Sequence, residues 1–587
     1  MNVLLLIKPV ASQSLADGSR STKEMSINMA DGAAFSFTIN QKKNKQDKIV
    51  LLSMVHNFPN PQLKKLCSYP FDSIYQICDS LYAGSDTLIT SKILAKATKY
   101  IEKDMKISFD VVACGNRSTD SETAQVPCEV ASFLELPVFT NCISVKKEKK
   151  NWKIIRLLEQ KTLEYSFENK CVISFCPKGS ELDPPSLFGM SHANEVPFIK
   201  IDNTQLKFDK NLVGLKGSPT KVVRSIKVQQ GLRESILIED PKEGATIIWK
   251  EIRKIQKTKE SSLKKKVLPL TKVSWGTPAF VVCPVSDELA WKTSLQILGK
   301  LTLLGFLAQA LVLGSVLSQT KKDELTTSGT RKITKISVDK TTDDRLAAEA
   351  IVRFMQETTG ILLFGATVKM RSIAPLCAAK LSCGLCADCT DLKSLNNGKL
   401  LYIRPAFGES LEAQIEVKSP LAIATIRPNA FANYLFMNSK IEVEKFSFIS
   451  QLNFLEAEEV KIPLDNERDE RIMFSLGDGI KEKELRDQID NFGFAKGASR
   501  QAVNHYVVPY VYQVGLTGKI VKPQLYVAFG ISGSEQHLVG IKQTKTIISV
   551  NIDRIAPIFD YSDYAICCDV KQVVEALEIE KELKNEL

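Results

Sequence analysis

Residues 525–533 read Leu-Tyr-Val-Ala-Phe-Gly-Ile-Ser-Gly, an apolar run of strand length closed by a glycine turn. Glycine turns also stand at Gly497–Arg500 and Gln513–Gly518, and a second apolar run, Thr546–Val550, ends in Asn551. Glycines after buried strands let backbone N–H groups approach a phosphate closely, and a helix that begins there presents partial positive charge. The spacing differs from the Gly-x-Gly-x-x-Gly pattern of Rossmann folds, so purely structural turns stay an alternative to a dinucleotide site.

Short apolar runs alternate with amphipathic stretches along the whole chain. The runs expected to form buried strands are Val3–Ile7, Ile49–Val55, Phe109–Cys114, Val172–Cys176, Pro278–Val285, Ala310–Val316 and Gly360–Phe364. Helical periodicity lies between many of them, for instance at Leu88–Tyr100 and Asp343–Glu357. This alternation predicts α/β layers with mainly parallel sheets, and 587 residues are too many for one hydrophobic core.

Two polar stretches predict borders between domains. Residues 253–267 are rich in Lys and Ser and contain little that could be buried, so we expect a linker there. A weaker border lies at Ile441–Asp469, which is rich in Glu and Lys. The chain is therefore divided into residues 1–252, the linker 253–267, residues 268–445 and residues 446–587.

The composition argues against several classes of function. The net charge of +11 is spread along the chain without an arginine-rich or aromatic-interleaved stripe, which argues against nucleic-acid binding. The apolar stretch Ser294–Leu317 is long enough to span a membrane, but Lys300 and Gln309 interrupt it. We therefore expect a buried helix at Leu295–Gln309 and a buried strand at Ala310–Val316. The 14 cysteines form no dense, regular framework, which favours a reducing cytoplasm.

A cysteine cluster, Cys383, Cys386 and Cys389, matches the front of a bacterial ferredoxin ligand run. The fourth cysteine and the proline that should follow it are absent, although Cys377 lies shortly before the cluster. With four histidines in the chain, a mixed Cys/His zinc site is not expected either. We predict no metal site.

The motifs of the C-terminal part, taken in order, resemble those of the electron-transfer flavoprotein α subunit. The turns at Gly497–Arg500 and Gln513–Gly518 are followed by Gly530–His537 and Ala556–Phe559, as in that family. Three motifs further upstream are also similar to that subunit: Leu363–Thr367, Ala387–Asp391 and Arg404–Gly408. The resemblance covers residues 270–587.

The N-terminal part resembles the β subunit of the same family through Gly84–Thr87, Asp120–Val126 and Gly217–Val222. The resemblance implies both subunits fused in one chain, β before α, which would fix their stoichiometry and raise their effective concentration for each other. It implies a fold of two adenine-nucleotide α-hydrolase-like α/β domains followed by a C-terminal α/β FAD-binding domain with a parallel sheet.

The resemblance also assigns FAD to the C-terminal domain. Arg500 would lie over the isoalloxazine, beside Ser499 and Thr517. His537 would hydrogen-bond near the pyrimidine carbonyl and help to stabilise the anionic reduced flavin. The remaining residues implied are Gln513, Ser532 and Gln536 at the ribityl chain or phosphates, Asn551 and Asp569 at the adenosine end, and Val514, Gly515, Gly530 and Gly533 in the turns.

The β-like part implies a second nucleotide, which is AMP in one branch of the family and a second FAD in the electron-bifurcating branch. Thr123–Val126 and Gly217–Thr220 look more like the bifurcating or related bacterial branches. The residues implied for this nucleotide are Pro9, Asn28, Asp31, Ser85, Asp86, Thr87, Asp120, Thr123, Gln125 and Val126.

Three features depart from the family pattern. Asp478 stands where the arginine of a Gly-Gly-Arg-Gly turn usually meets the FAD pyrophosphate, so a negative charge replaces a positive one. Leu516 stands where glutamine is common. The Ser-Glu pair at 121–122 and the Pro-Cys pair at 127–128 stand where the β subunit commonly has Gly-Asp and Gly-Pro.

The resemblance implies a carrier that moves electrons on FAD from flavoprotein dehydrogenases, such as the acyl-CoA dehydrogenases of fatty acid β-oxidation, to a downstream acceptor. An alternative is an NADH-dependent bifurcating flavoprotein that acts with ferredoxin. A redox-inactive nucleotide-binding scaffold is an alternative of another class, motivated by Asp478 and Leu516. In the first case the FAD domain is expected to swivel about Ile441–Asp469.

Overall fold

The structure is a computed structural model of the 587-residue chain. It describes residues 1–11, 25–118, 120–159, 161–176, 184–227, 232–257, 267–269, 274–314, 316–338, 343–406, 411–437, 441–450, 452, 455–461, 469–505, 507–508, 512–515, 518–519 and 521–585.

Strands and helices alternate through these ranges. The strands of the first part are β1 (Asn2–Leu6), β2 (Pro9–Ala11), β3 (Met25–Ile27), β4 (Lys48–Met54), β5 (Ser73–Ile77), β6 (Val111–Gly115), β7 (Val138–Glu148), β8 (Asn151–Leu157), β9 (Lys161–Phe167), β10 (Cys171–Phe175), β11 (Phe198–Ile201), β12 (Thr220–Lys227) and β13 (Ile236–Ile238). The later strands are β14 (Val267–Leu268), β15 (Pro278–Pro284), β16 (Leu307–Leu313), β17 (Lys332–Ile336), β18 (Gly360–Gly365), β19 (Leu385–Cys389), β20 (Asp391–Ser394), β21 (Leu400–Ala406), β22 (Leu411–Val417), β23 (Leu421–Ile426), β24 (Leu435–Phe436), β25 (Glu442–Phe446), β26 (Ala457–Lys461), β27 (Asp469–Leu476), β28 (Phe494–Ala498), β29 (Leu525–Phe529), β30 (Thr546–Asn551) and β31 (Tyr564–Cys567). The α-helices are α1 (Gly32–Ile39), α2 (Pro61–Lys65), α3 (Thr87–Met105), α4 (Val126–Leu134), α5 (Leu187–Ser191), α6 (Asn203–Leu206), α7 (Gly214–Gly217), α8 (Pro241–Lys257), α9 (Glu288–Leu303), α10 (Gln319–Thr327), α11 (Asp344–Met355), α12 (Met370–Leu381), α13 (Lys483–Asp490), α14 (Arg500–Asn504), α15 (Glu535–Leu538) and α16 (Val570–Asn585).

The first sheet is built mainly from the N-terminal part of the chain. Its strand order in the described ranges is β11-β5-β4-β1-β6-β10-β7-β8-β9-β26. The strands from β11 to β7 run parallel, and β7, β8, β9 and β26 continue the sheet antiparallel. Leu4 in β1 stands opposite Val50 in β4 and Val112 in β6, so the strand order reverses at β1. Such strands are apolar throughout because helices cover both faces of a parallel sheet.

The second sheet has the order β19-β23-β18-β15-β16-β17-β25, and all of its described strands run parallel. The predicted division of the stretch Ser294–Leu317 into a helix followed by a strand is confirmed, but both elements begin earlier. Helix α9 begins at Glu288 because Asp287 caps it, the carboxylate accepting the Ala290 N–H at 2.9 Å. Across the described residues, no helix combines the length and apolarity that crossing a membrane requires.

The third sheet, β13-β31-β30-β29-β27-β28, is also parallel throughout its described strands. Its first strand comes from the N-terminal part: Leu237 pairs with Ala565 in β31, and helix α8 packs with α16 in the same apolar core. The sequence-based border after residue 252 groups β13 and α8 with the first part, whereas they pack on the C-terminal sheet. Helix α8 also continues to Lys257, and residues 258–266 of the expected linker lie outside the described residues.

The first and second parts share one apolar core. It holds Ile93 and Val130 from α3 and α4, together with Ile351 and Ile373 from α11 and α12. A small antiparallel sheet, β12-β22-β21-β20, joins the same two parts because β12 pairs with β22. This extensive packing holds the two nucleotide-binding-like sheets against each other.

The stretch Ile441–Asp469 adds strands to both of the first two sheets. Strand β25 pairs with β17 of the second sheet, and β26 pairs with β9 of the first. The segment that precedes β27 is thus held by strand pairing to both the first and the second sheet.

Candidate functional site

The carboxyl edge of the third sheet carries the residues implied for FAD. Strand β27 lies where the strand order reverses, with β28 on one side and β29 on the other, and open α/β sheets bind ligands at such points. Ser499 follows β28, Gly530 follows β29, Asn551 ends β30 and Asp569 lies beyond β31. At about 4.8 Å between neighbouring strands, these positions extend over about 19 Å, which suits a long dinucleotide.

His537 lies buried at this edge, on α15. Its Nε2 atom is 2.9 Å from the hydroxyl of Tyr526 in β29. Burial lowers the pKa of His537 to about 4, and the backbone of Val514 opposes part of that shift. The imidazole is therefore neutral near pH 7 until a negative charge is placed beside it.

Gly515 lies directly against the helix that carries His537. A Cβ at this position would stand 2.6 Å from the Gln536 carbonyl oxygen and 3.2 Å from the His537 Cα, and its φ of +129° is unfavourable for other residues. Only glycine lets the two segments approach this closely.

The turns at Gly497–Arg500 and Gln513–Gly518 are joined through the backbone. The Val514 N–H donates to the Ala498 carbonyl at 2.9 Å. Ser499 caps α14, its Oγ accepting the Ala502 N–H at 3.3 Å, so Arg500 is the first residue of that helix.

Two of the sequence-based assignments, Thr517 and Leu516, lie outside the described residues. Gln513 and Val514 are buried, whereas Ser532, Gln536 and Asp569 are exposed at the edge. Exposed and buried residues of the implied set are therefore mixed, since the exposed Gln536 directly precedes the buried His537.

The turn after β29 is held by close backbone contacts. Gly533 has a φ of +88°, and a Cβ there would stand 2.4 Å from the Ile558 nitrogen. The Ile558 N–H donates to the Ser532 carbonyl at 3.0 Å, and the Asn551 side-chain amide donates to the Ile531 carbonyl at 3.0 Å.

Asp478 lies at the same edge, in the turn that follows β27. Its carboxylate is 2.6 Å from Nδ1 of His505, which follows the last residue of α14. Sequence reasoning found Asp478 but did not find this partner, because His505 carries no motif of its own.

The point where the first sheet reverses its order holds the residues implied for the second nucleotide. The Asp31 carboxylate accepts the Lys8 N–H at 3.0 Å, the Gly115 N–H at 3.2 Å and the Asn28 side-chain amide at 3.0 Å. A Cβ on Gly115, the last residue of β6, would stand 2.3 Å from the Asp31 Oδ1. The Asp31 carboxylate can therefore approach the end of β6 only because residue 115 is glycine. Burial raises the pKa of Asp31 to about 7, although the three hydrogen bonds and Lys8 oppose the shift.

Lys8 links Asp31 to the loop that follows β6. Its backbone N–H donates to Asp31, and its side-chain Nζ is 2.8 Å from Oδ1 of Asp120 in that loop. Pro9 follows Lys8 and begins β2. The same loop carries Thr123 and ends at Val126, the first residue of α4. Glu122 and Ala124, with φ of +53° and +55°, give it the backbone strain that often marks a functional loop.

A second cluster at this edge surrounds the start of α3. Asp86 caps the helix, accepting the Ile89 N–H at 3.1 Å, and the Ser218 hydroxyl binds the Asp86 N–H at 2.8 Å. Ser85 precedes this cap, and the Thr87 hydroxyl hydrogen-bonds the Gln125 side chain, which joins the two implied loops.

The second part of the chain contributes contacts that sequence reasoning missed. The buried Arg404 donates to the Ser121 carbonyl at 2.7 Å, and the Gln125 amide donates to the Leu385 carbonyl at 3.1 Å. Arg427 lies 3.8 Å from the Glu122 carboxylate. These partners are far apart in sequence, so periodicity and local spacing carry no signal for them.

The cysteine cluster lies in the core of the second part. Cys386 and Cys389 are buried on β19, with their sulfurs 3.4 Å apart. Within the described ranges, no group of three or more His, Cys, Asp and Glu side chains is arranged to hold a metal ion.

Two fully parallel sheets and one largely parallel sheet make this an α/β protein, and polar residues cluster at the reversal points of the first and third sheets. Family comparison makes the class specific: the electron transfer flavoprotein FAD-binding domain matches residues 468–542. The electron transfer flavoprotein domain matches residues 19–202 and 304–449, more than half of the chain. The chain belongs to the electron transfer flavoprotein family.

Individual relatives agree with this assignment. The protein FixB of Clostridium saccharobutylicum is 37% identical over 230 residues, which are 37% of this chain and 69% of the relative. The electron transfer flavoprotein subunit alpha of Bacillus subtilis is 35% identical over 231 residues, 38% of this chain and 70% of the relative. The lactate dehydrogenase (NAD(+),ferredoxin) subunit LctC of Acetobacterium woodii is 31% identical over 291 residues, 47% of this chain and 68% of the relative.

Proposed function

We propose that this protein carries electrons on FAD bound at the carboxyl edge of the third sheet, between flavoprotein dehydrogenases and a downstream acceptor. The observation that carries the proposal is the buried contact between His537 and Tyr526, enclosed by the Gly515 turn within the matched FAD-binding domain. When bound, FAD supplies the redox chemistry, since none of these side chains does so.

The residues present fit this cofactor. The glycine turns at Gly515, Gly530 and Gly533 leave backbone room, and the neutral His537 offers a ring that can hydrogen-bond or accept a proton as negative charge develops beside it. Arg500 would place a guanidinium over the isoalloxazine. Asn551 and Asp569 would hold the adenosine end, with Ser499, Gln513, Val514, Thr517, Ser532 and Gln536 between them.

The proposal includes a fusion of β-like and α-like parts. Its support is that the electron transfer flavoprotein domain matches two ranges, residues 19–202 and 304–449, and that each range supplies most strands of a different sheet. The second nucleotide, AMP or FAD, would bind at the reversal point of the first sheet. The hydrogen-bonded cluster of Asp31, Lys8 and Asp120 supports this position.

A partner dehydrogenase would dock through an apolar surface on α5. Leu187, Phe188 and Met190 are 83%, 72% and 50% exposed there, an unusual concentration of large apolar side chains. Acyl-CoA dehydrogenases are the partner class that the proposed carrier role favours.

Reduction by a dehydrogenase tests the role. The FAD-loaded chain is mixed with an acyl-CoA dehydrogenase and its acyl-CoA, and loss of the visible flavin absorbance is followed. Leu187→Ser should slow this reduction while reduction by dithionite stays unchanged, and Val316→Ser, at a residue 71% exposed elsewhere, is the matched control. A bound flavin that neither a panel of flavoprotein dehydrogenases nor dithionite reduces would contradict the proposal and favour the redox-inactive scaffold.

A second candidate is an NADH-dependent bifurcating flavoprotein. The similarity to LctC, whose name joins NAD(+) and ferredoxin, favours it and spans 47% of this chain. Two FAD per chain with NADH-driven ferredoxin reduction would support this candidate, whereas one FAD with tightly held AMP would exclude it.

A further inference from the structure

The turn after β27 presents an acidic side chain at the reversal point of the third sheet. It is closed by the Ile480 N–H, which donates to the Gly477 carbonyl at 3.3 Å. A Cβ on Gly477 would stand 1.8 Å from the Gly530 carbonyl oxygen, so the turn lies flat against the turn after β29. Asp478 is therefore held at the carboxyl end of β27, beside the turn that follows β29.

His505 is the residue whose imidazole ring contacts this carboxylate. Its Nδ1 is 2.6 Å from the Asp478 Oδ1, and the two side chains are 63% and 27% exposed. The His505 N–H donates to the Gln501 carbonyl at 3.0 Å, which fixes the residue at the end of α14. The pair thus joins the β27 turn to the end of the helix that begins at Arg500.

Two cations on the flanking elements α13 and β28 have partners of their own. Arg486 on α13 donates to the Lys481 carbonyl at 2.7 Å, and Lys496 on β28 pairs with Asp490 at 3.1 Å. Neither of these contacts reaches the Asp478 carboxylate. The negative charge that a diphosphate at this turn would encounter therefore depends on the contact between His505 and Asp478.

We propose that His505 compensates the charge of Asp478 so that this acidic turn accepts the FAD diphosphate. A proton on Nδ1 of His505 would point at the Asp478 carboxylate 2.6 Å away and offset part of its negative charge, whereas Asp478 alone would repel the phosphates. The inference rests on the proposed binding of FAD at this sheet and adds a specificity-determining residue to that site.

Opposite effects of two substitutions test the inference. FAD is titrated into the flavin-free full-length chain at neutral pH and low salt, and the dissociation constant is measured by flavin fluorescence. His505→Asn should weaken binding about fivefold, a size typical of partly exposed charges, and Asp478→Asn should leave it unchanged or tighten it. The double variant Asp478→Asn/His505→Asn should return to within about twofold of the native affinity, and the effects should shrink at high salt.

A purely structural tether predicts a different pattern. Both single variants would then weaken FAD binding alike, without rescue in the double variant, and that result would overturn the inference. Unchanged affinity in His505→Asn would overturn it as well, whereas a native chain that binds no FAD would contradict the proposed function itself. His505→Gln provides a second neutral variant if His505→Asn fails to fold. Lys153→Gln and Glu164→Gln, which break an exposed 2.7 Å ion pair on the first sheet, are the matched controls.

Discussion

The buried carboxylate of Asp31 should make the stability of the protein depend on pH in a predictable direction. Its pKa is raised from 3.8 to about 7, chiefly by burial. A raised folded-state pKa means that the protonated side chain stabilises the fold, and that this contribution is lost as pH rises through about 7. Between pH 5 and pH 8 the loss from this one group is about 2.5 kcal/mol.

Asp31→Asn removes the titration while keeping the shape of the side chain. The native chain and the variant, both stripped of nucleotides, are unfolded with urea at pH 5 and at pH 8. The native chain should lose about 2.5 kcal/mol more than the variant over this interval, because other titrating groups, such as Glu129 with a pKa of about 8, cancel in the difference. Equal losses in the two proteins, or a larger loss in the variant, would refute the assignment of a buried protonated Asp31.

Three further outcomes are expected. Gly515→Ala should lower stability by about 2 kcal/mol and weaken FAD binding, because its Cβ would meet the Gln536 carbonyl oxygen at 2.6 Å; a melting curve and an FAD titration identical to the native ones would contradict this. His537, with its pKa lowered to about 4 by burial, stabilises the fold when neutral, so the native chain should lose about 2 kcal/mol more than His537→Gln between pH 7 and pH 5 in urea unfolding. Arg156→Ala should cost about 3 kcal/mol or more, because it leaves the Asp344 carboxylate, 2.7 Å away, buried without its partner; a denaturation midpoint within error of the native one would argue against this pair.

The strand pattern of the sheets could be predicted from sequence because parallel strands are apolar throughout. Runs such as Val3–Ile7 and Gly360–Phe364 coincide with β1 and β18 to within one residue at each end, since little else in the chain is continuously apolar. The start of α9 was placed too late because the apolar pattern was given more weight than the capping Asp287.

The pairing of distant segments could not be predicted in the same way. Strand β13 has three residues and no alternation, and its place in the third sheet depends on β31, far away in sequence. Arg404 reaches the Ser121 carbonyl only because the two parts share a core. Local sequence patterns indicate which residues prefer strands. Contacts between distant segments depend instead on how the complete sheets pack against each other.

In the candidate site, too, local motifs predicted some residues but not their partners. The order of the glycine turns predicted the carboxyl edge of the third sheet, where Gly530 and Gly533 follow β29, and it predicted Gly515, which lies against the helix that carries His537. The partners that set the chemistry, Tyr526 for His537 and His505 for Asp478, come from positions without a motif. Their roles follow from distance and burial, which a linear pattern does not contain.

The number of FAD molecules held by each chain tests the central claim most directly. The purified full-length chain is incubated with FAD, freed of unbound cofactor by gel filtration and denatured, and the released nucleotides are separated and counted. At least one FAD per chain, lost or strongly reduced in Gly515→Ala, is the predicted result. A native chain that retains no FAD after incubation would contradict the account of the third sheet as the electron-carrying site.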